Sequence, residues 1–454
     1  MTDRDPLATH LVDIVGRDHV IEDPALLASY ETDWTRRFHG HARLVVRPGT
    51  PAEAGAVLAV CSSERVAVVP QGGNTGLVGG AVPPEGAVVL SMRRLVELGA
   101  VDRAAGQLTA GAGVTLGELQ RHARAADLDI GLDLAARDSA TLGGLIATNA
   151  GGIRAMRYGS MRSQVVGIEA YLVDGTRVGS LAGLTKDNTG YHWPSLLAGS
   201  EGTLAVVTRA RLLLVRIPRR RACVLLGLPD LAAAVALASE LRERVPSLEA
   251  LEVFDSLAMA LLARHRGMTS PLKGSSGVYL LAEAAADQDP TNELVEAIAA
   301  APGALDAAIG TDGPDRARLW AFRESITEVI EAEGVPHKLD VSLPMHQLTR
   351  FDTDVRATAI RLTPSCRAVV YGHLGDGNLH VNLLGLEPDD ERVDEAVLRL
   401  VAELGGSISA EHGIGRAKAA WLSLARRTGE IDAMRALKRS LDPDFLLNPG
   451  VLFS

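Results

Sequence analysis

Cysteine is scarce in this 454-residue chain: Cys61, Cys223 and Cys366 are the only three, widely separated and with no CxxC pair. They supply neither an iron–sulfur ligand set nor a disulfide framework, and their number suits a reducing compartment. Long apolar runs are missing too; none reaches the roughly 18–20 residues needed to span a bilayer. Positive charge is in deficit, with a formal net charge of -10, which argues against a nucleic-acid partner because a phosphate backbone needs a basic face. The start, Met1-Thr2-Asp3-Arg4-Asp5-Pro6, has no basic stretch followed by an apolar one and is too acidic for a transit peptide. A cytoplasmic location is therefore expected. Sequence repeats and low-complexity tracts are also lacking.

What remains is ordinary for a folded protein: 47% hydrophobic and 22% charged residues. The length predicts more than one domain. Up to about Ile217, short β-branched runs alternate with glycine-rich turns. Val66 to Val69, Ala87 to Leu90, Gln107 to Ala110, Val166 to Leu172 and Thr203 to Thr208 read as strands, and Leu116 to Ala126 as a helix. The basic stretch Arg216 to Arg221 marks a surface crossing. Beyond it, Cys223 to Gly227 and Val278 to Ala282 read as strands, Leu231 to Arg244 and Asn292 to Ala300 as helices. This alternation predicts a ferredoxin-like antiparallel sheet covered by helices. From Asp394 the chain reads as mainly helical, with a glycine-rich interruption at Gly405 to Gly415. The expected division is 1–217, 218–393 and 394–454, and the fold class is α+β.

Glycine is abundant where it matters. Pro70-Gln71-Gly72-Gly73-Asn74-Thr75-Gly76-Leu77-Val78-Gly79-Gly80 carries five glycines, and successive uncovered N–H groups form a concave anion nest. Pro83-Pro84 and a further strand follow, so this is no Rossmann turn, and no Lys-Ser/Thr pair makes it a P-loop. Thr141-Leu142-Gly143-Gly144-Leu145-Ile146-Ala147-Thr148-Asn149-Ala150-Gly151-Gly152 is a second cluster. Two such segments suit a long ligand with a pyrophosphate and a flat ring.

With Lys186-Asp187-Asn188-Thr189-Gly190-Tyr191 and Gly199-Ser200-Glu201-Gly202-Thr203-Leu204, these segments resemble the flavoprotein family of vanillyl-alcohol oxidase and p-cresol methylhydroxylase (PCMH). The resemblance runs in order over most of the chain. It implies a PCMH-type FAD-binding domain at 1–217, a substrate or cap domain at 218–393, and a helical segment at 394–454 that returns to the flavin. Gly72, Gly73, Asn74, Thr75, Gly76, Leu77 and Gly80 would hold the pyrophosphate. Gly143, Gly144, Thr148, Asn149 and Gly152 would line the rest of the cofactor, with Val206 and Asn448 completing the set. Members with a doubly attached flavin carry a His in the first loop; Asn74 stands there here, so non-covalent FAD is expected.

Tyr371-Gly372-His373-Leu374-Gly375-Asp376-Gly377-Asn378-Leu379-His380-Val381-Asn382 reads as two strands around a glycine turn, which brings two imidazoles together. Ser407-Ile408-Ser409-Ala410-Glu411-His412-Gly413-Ile414-Gly415 adds a carboxylate and a third imidazole. Two His nitrogens and a carboxylate with open positions make a catalytic metal site. A single histidine is more often a hydrogen-bonded structural residue; three in two glycine-rich segments outweigh that reading. Both segments resemble the C-terminal domain of FAD-linked oxidases, specifically the D-2-hydroxyglutarate dehydrogenases and their D-lactate dehydrogenase relatives. That implies a zinc site at His373, His380 and Glu411, with manganese or iron as alternatives, and His412 as the base.

Asp315 to Glu333 has a helical pattern that places Arg323 and Thr327 four residues apart in or beside an apolar stripe. A partly buried arginine needs an anion, either a substrate carboxylate or an internal acid such as Glu283. The pattern Trp320 to Thr327 followed by His337-Lys338-Leu339-Asp340 resembles the hydroxyglutarate dehydrogenases. It implies that Arg323, Thr327, Lys338, Asn382 and His412 touch substrate, although Val335-Pro336-His337 departs from the family's tyrosine-rich context.

The resulting expectation is FAD- and metal-dependent oxidation of a D-2-hydroxy acid, foremost D-2-hydroxyglutarate or a related dicarboxylate. Expected partners are a small 2-hydroxy acid and an electron acceptor such as electron-transferring flavoprotein or a quinone. A homodimer is expected from the frequency of symmetric dimers. The alternatives are a D-lactate dehydrogenase, a glycolate oxidase flavin subunit, and a non-catalytic flavin-binding subunit. A zinc hydrolase leaves both glycine clusters unexplained.

Overall fold

The computed structural model describes residues 5–301 and 303–453, which fall into two compact units. The first comprises 1–151, 158–217 and 411–454; the second comprises 152–157 and 218–410. No helix among the described residues is long and apolar enough to cross a membrane.

The first unit contains two sheets. Strands Ala42–Val46 and Val68–Gln71 flank Ala87–Ser91 in parallel, and Val20–Ile21 joins one edge antiparallel. All five residues of the middle strand are buried, as a parallel strand covered on both faces requires. The other edge is extended by the far end of the chain. Val68 N–H donates to the Leu446 carbonyl at 2.8 Å, and Asn448 N–H donates to the Val68 carbonyl at 2.8 Å. The second sheet is antiparallel and centres on Val206–Arg216, which pairs with Gln107–Gly111, Leu128–Ile130 and Val165–Tyr171. Buried Lys438 fastens the last helix, Thr428–Leu441: its ammonium donates to the carbonyls of Thr203 and Leu447 and pairs with Asp442.

The second unit is built on seven antiparallel strands: β1 (Arg220–Leu228), β2 (Leu248–Asp255), β3 (Val278–Ala286), β4 (Asp306–Gly310), β5 (His337–Ser342), β6 (Arg367–His373) and β7 (Asn378–Leu384). Their order is β4-β1-β3-β2-β6-β7-β5. This is wider than a four-stranded split β-α-β sheet. Helices α1 (Gly313–Glu324) and α2 (Ile326–Glu331) carry Leu319, Phe322, Ile326 and Ile330 into a core shared with Leu225, Phe254, Leu281 and Tyr371.

Most sequence-expected elements appear, with shifted ends. Residues 203–205 lie in a bend ahead of the strand, which begins at Val206; the strand expected from Val66 begins at Val68. The helix expected over Asp315 to Glu333 is divided at Ser325, which caps α1 and begins α2. Arg216, Arg219 and Arg220 are exposed, as a surface crossing requires, whereas Arg221 turns inward to Glu249 and Glu283. The three cysteines are buried and unpaired. Burial raises the Cys61 thiol to about 12 and pushes Cys223 and Cys366 up as well, so all three are inert.

Candidate functional site

In the first unit the glycine loop follows the strand Val68–Gln71 and lies against the start of the helix Leu142–Thr148. A Cβ on Gly73 would meet the Ser139 carbonyl oxygen at 2.0 Å, and one on Gly72 would meet Thr141 Oγ1 at 2.1 Å. Only glycine allows this approach. Arg93 draws the loop's carbonyls outward, donating to Gly72 O at 3.1 Å and Gly73 O at 2.9 Å. That leaves the N–H side of the loop for an anion. Asn74 is left-handed (φ 55°) and its amide donates to Thr32 O at 2.9 Å, so it acts as a loop anchor. Nothing lies within 4 Å of where a Gly76 Cβ would stand.

Thr141 Oγ1 is buried and has no hydrogen-bond partner among the described residues. A buried hydroxyl aimed between Gly72 and Gly144, beside a helix N-terminus, fits a phosphate oxygen. The Thr148 hydroxyl donates to Gly144 O at 3.0 Å, and the left-handed Asn149 caps the helix while accepting from Ser160 and Arg162. Gly143 packs on Ala112, leaving no room for a side chain. Gly152, at φ 92°, falls in the short stretch that counts with the second unit. Val206 is buried at a strand start, and Asn448 donates to Gly80 O and Glu201 O at 2.8 and 2.7 Å. Leu77 and Thr75 are partly covered members of the loop.

The segment carrying Glu411 and His412 is held from beneath by Glu201. Its carboxylate accepts from Ile414 N–H and Gly415 N–H, both at 2.8 Å, and a Cβ on Gly413 would stand 2.9–3.0 Å from that carboxyl group. Burial raises the Glu201 carboxyl to about 7. Glu411 and His412 are themselves close, Oε1 to Nε2 at 3.7 Å.

In the second unit, strand alternation builds the site. His373 lies directly opposite Glu252 on β2, Tyr371 opposite His380 on β7, His380 opposite Asp340 on β5, and Asn382 opposite Lys338. Residues opposite one another share a face, as do residues two apart along a strand. Glu252, Tyr371, His373, His380, Asn382, Lys338 and Asp340 therefore line one face, with α1 and α2 bringing Arg323 and Thr327. His337, out of phase, points to the other face and bonds Asp394 at 2.6 Å.

The His373 and His380 rings are edge to face at 5.3 Å, and His380 Nδ1 is 3.3 Å from Asp340 Oδ1. Arg323, 8% exposed, donates through Nε to Glu252 at 2.7 Å and lies over the Tyr371 ring at 4.6 Å. The internal acid is thus Glu252; Glu283 instead receives Arg221, Arg316 and the Trp320 indole. Thr327 shares a hydrogen bond with the Tyr371 hydroxyl at 3.0 Å, and Lys338 reaches Glu331 at 2.9 Å. Asn382 Nδ2 is buried without a partner among the described residues, which fits a group aimed at a ligand. Beyond β7 the chain returns along β5: Ser407 pairs with Ser342, and Ala410 N–H donates to Asp340 Oδ2 at 3.1 Å. Glu411 and His412 are the next residues along the chain.

Sequence reasoning missed Thr141, Glu201, Glu252, Asp340 and Tyr371. Two left a signal: Asp340 shares phase with Lys338, and Glu252 is a carboxylate in the otherwise apolar run Leu251-Glu252-Val253-Phe254.

The family described as FAD linked oxidases, C-terminal domain, matches residues 217–452, and the FAD binding domain family matches 42–179. Mitochondrial D-2-hydroxyglutarate dehydrogenase of Rattus norvegicus is 37% identical over 446 residues, covering 96% of this chain and 82% of its own. The D-2-hydroxyglutarate dehydrogenase of Xanthomonas citri pv. viticola is 36% identical over 468 residues, covering 99% and 97%. A putative mitochondrial D-lactate dehydrogenase of Schizosaccharomyces pombe is 33% identical over 462 residues, covering 96% and 88%. The solved structure of p-cresol methylhydroxylase with substrate bound is similar in fold, with TM-score 0.79 and 15% identity over 98% of this chain and 96% of that one.

Proposed function

This chain belongs to the FAD-linked oxidase family that includes the D-2-hydroxyglutarate dehydrogenases, and from that premise we propose that it oxidises D-2-hydroxyglutarate or a related D-2-hydroxy dicarboxylate to the 2-oxo acid. It is an FAD-dependent oxidoreductase. The observation that carries the substrate reading is the single sheet face on which Lys338, Asn382, His373 and His380 stand together, with Arg323 and Thr327 over it.

When bound, FAD supplies the hydride acceptor and a divalent ion supplies Lewis acidity. The glycine loop, Thr141, Gly143, Gly144, Thr148, Asn149, Gly152, Val206 and Asn448 are our cofactor set, and the bond from Asn74 to Thr32 suits non-covalent attachment. For the metal we propose His373, His380 and Glu411. Imidazole nitrogens and a carboxylate are a donor set suited to such an ion, with zinc our first choice and manganese or iron the alternatives. We assign to His412 the removal of the proton from the substrate hydroxyl, a role imidazole suits because its unperturbed pKa of about 6.5 lies near neutral pH. Arg323, Thr327 and Lys338 bind the distal carboxylate; Asn382 orients the proximal one.

A second reading rests on a specific observation. Arg323 and Lys338 already hold the carboxylates of Glu252 and Glu331, which lessens their need for a substrate anion and favours a D-lactate dehydrogenase. Anaerobic bleaching of the flavin by a panel of D- and L-2-hydroxy acids separates the two. D-2-hydroxyglutarate or D-malate should exceed D-lactate about tenfold to a hundredfold in kcat/KM, because a methyl group forgoes the charge-assisted hydrogen bonds of a second carboxylate, worth about 1.5–3 kcal/mol. Lys338→Met should reduce the dicarboxylate's efficiency far more than that of D-lactate. Equal efficiencies, or equal losses, assign the chain to the D-lactate branch.

Cytoplasmic residence, electron-transferring flavoprotein or a quinone as acceptor, and a homodimer belong to the same proposal. Buried, unpaired cysteines suit a reducing compartment, while several relatives are named mitochondrial. Cell fractionation, acceptor assays and sedimentation test these three points.

A further inference from the structure

Glu252 is fully buried in the middle of β2, where a lone carboxylate would be costly. Both of its oxygens are used. Oε2 accepts from Arg323 Nε at 2.7 Å, and Oε1 lies 2.7 Å from His373 Nδ1. We propose that Glu252 is a positioning residue that couples the metal ligand His373 to the substrate-binding Arg323. This inference rests on the metal and substrate roles proposed above.

The argument is one of donors and acceptors. A carboxylate held by the Arg323 guanidinium only accepts, so His373 must carry its proton on Nδ1 toward Glu252. In the neutral ring Nε2 then holds the lone pair and becomes the ligating nitrogen. A carboxylate behind a metal-bound histidine fixes its tautomer and ring orientation in this way. On the other side, Glu252 occupies Nε of Arg323 while Tyr371 covers the guanidinium plane, 4.6 Å from its carbon to the ring centroid. Neither Nη group donates to a protein atom among the described residues, so the outer edge is presented for a bidentate carboxylate. The antiparallel register makes this geometry possible, because Glu252 and His373 are direct cross-strand partners.

An amide cannot reproduce both contacts. If the Glu252→Gln oxygen accepts from Arg323, its NH2 faces His373 Nδ1 and forces the opposite tautomer. With FAD bound, Glu252→Gln should weaken Zn2+ or Mn2+ affinity about tenfold to a hundredfold, read by chelator competition. KM for D-2-hydroxyglutarate should rise as well. Glu252→Asp keeps the charge but is shorter by one methylene, and should fall between wild type and Glu252→Gln.

His373→Ala distinguishes the two levels of the argument. If it binds metal as tightly as wild type, the proposed ligand set is wrong. If it loses metal while Glu252→Gln keeps affinity within twofold, the ligand set stands and the positioning role of Glu252 is overturned. Should Glu252→Gln not fold with Arg323 unpaired, Arg323→Leu/Glu252→Gln is compared with Arg323→Leu alone. A further tenfold loss of metal affinity in the double variant supports the proposal, and equal affinities overturn it.

Discussion

Gly73 leaves no room for even one carbon, because a Cβ there would stand 2.0 Å from the backbone oxygen of Ser139. Backbone cannot rotate aside as a side chain can. Gly73→Ala should therefore displace the loop and lower FAD retention at least tenfold, measured as flavin absorbance after gel filtration; unchanged retention would place the pyrophosphate elsewhere. Acid precipitation of the unaltered protein should release its flavin. Glu201 makes a different prediction. Its carboxyl is raised from 4.5 to about 7 by burial, so between those pH values the folded chain holds a proton that the unfolded chain has released. The stability linked to that proton is present below about 4.5 and is lost as pH rises to about 7. The slope amounts to about 3 kcal/mol at most. Glu201→Gln should flatten it in urea titrations across this range, whereas an unchanged slope would place the titrating group elsewhere.

Among the elements, strands were the more legible. Gln107 to Ala110 and Val166 to Leu172 alternate or run apolar between turn residues, and both form strands whose ends differ by only a residue or so. The helix Leu231–Arg244 appears with its expected bounds because Asp230 caps its start. The break at Ser325 was not legible, since the 3.6-residue apolar pattern passes through it unaltered. The face that unites Lys338, Asn382, His380 and His373 could be read strand by strand, but not across strands. Register depends on pairing between distant segments, and single-strand periodicity does not contain it. Glu252 and Tyr371 were missed for that reason. The last helix offers a test at this scale. Lys438→Met removes the cation beside buried Asp442 and the donor to Thr203 and Leu447. It should cost about 3–5 kcal/mol in urea unfolding, the usual penalty for orphaning a buried charge. Adding Asp442→Asn should recover part of the loss; no loss in the single variant would show that the pair contributes little.

For the molecule as a whole, the notable property is that the first unit is discontinuous in sequence. Residues 411–454 count with it, although the second unit intervenes. A chain ending at Ile217 lacks the Leu446–Asn448 edge, Lys438 and the Asn448 amide that ties Gly80 to Glu201. Such a fragment should bind FAD at least tenfold more weakly than the intact protein, and supplying 411–454 as a separate chain should restore part of the affinity. Fluorescence titration with FAD checks both arms. Full affinity in the fragment alone would show that the returning segment is dispensable for the cofactor.

The strand Val68–Gln71 receives its outer partner from residues made some 375 positions later in the chain. Between Ile217 and Asn448 lie roughly 230 residues, so at about 5–20 residues per second the ribosome takes roughly 10–45 s to deliver that partner. Throughout this interval the nascent chain carries an open β edge, and the contiguous stretch 218–410 is made whole before the interval ends. The order of birth is thus the reverse of the order of completion: the unit begun first is finished last. Any product of premature termination lacks the edge, and is left with the exposed strand that a holdase chaperone recognises and a protease can remove.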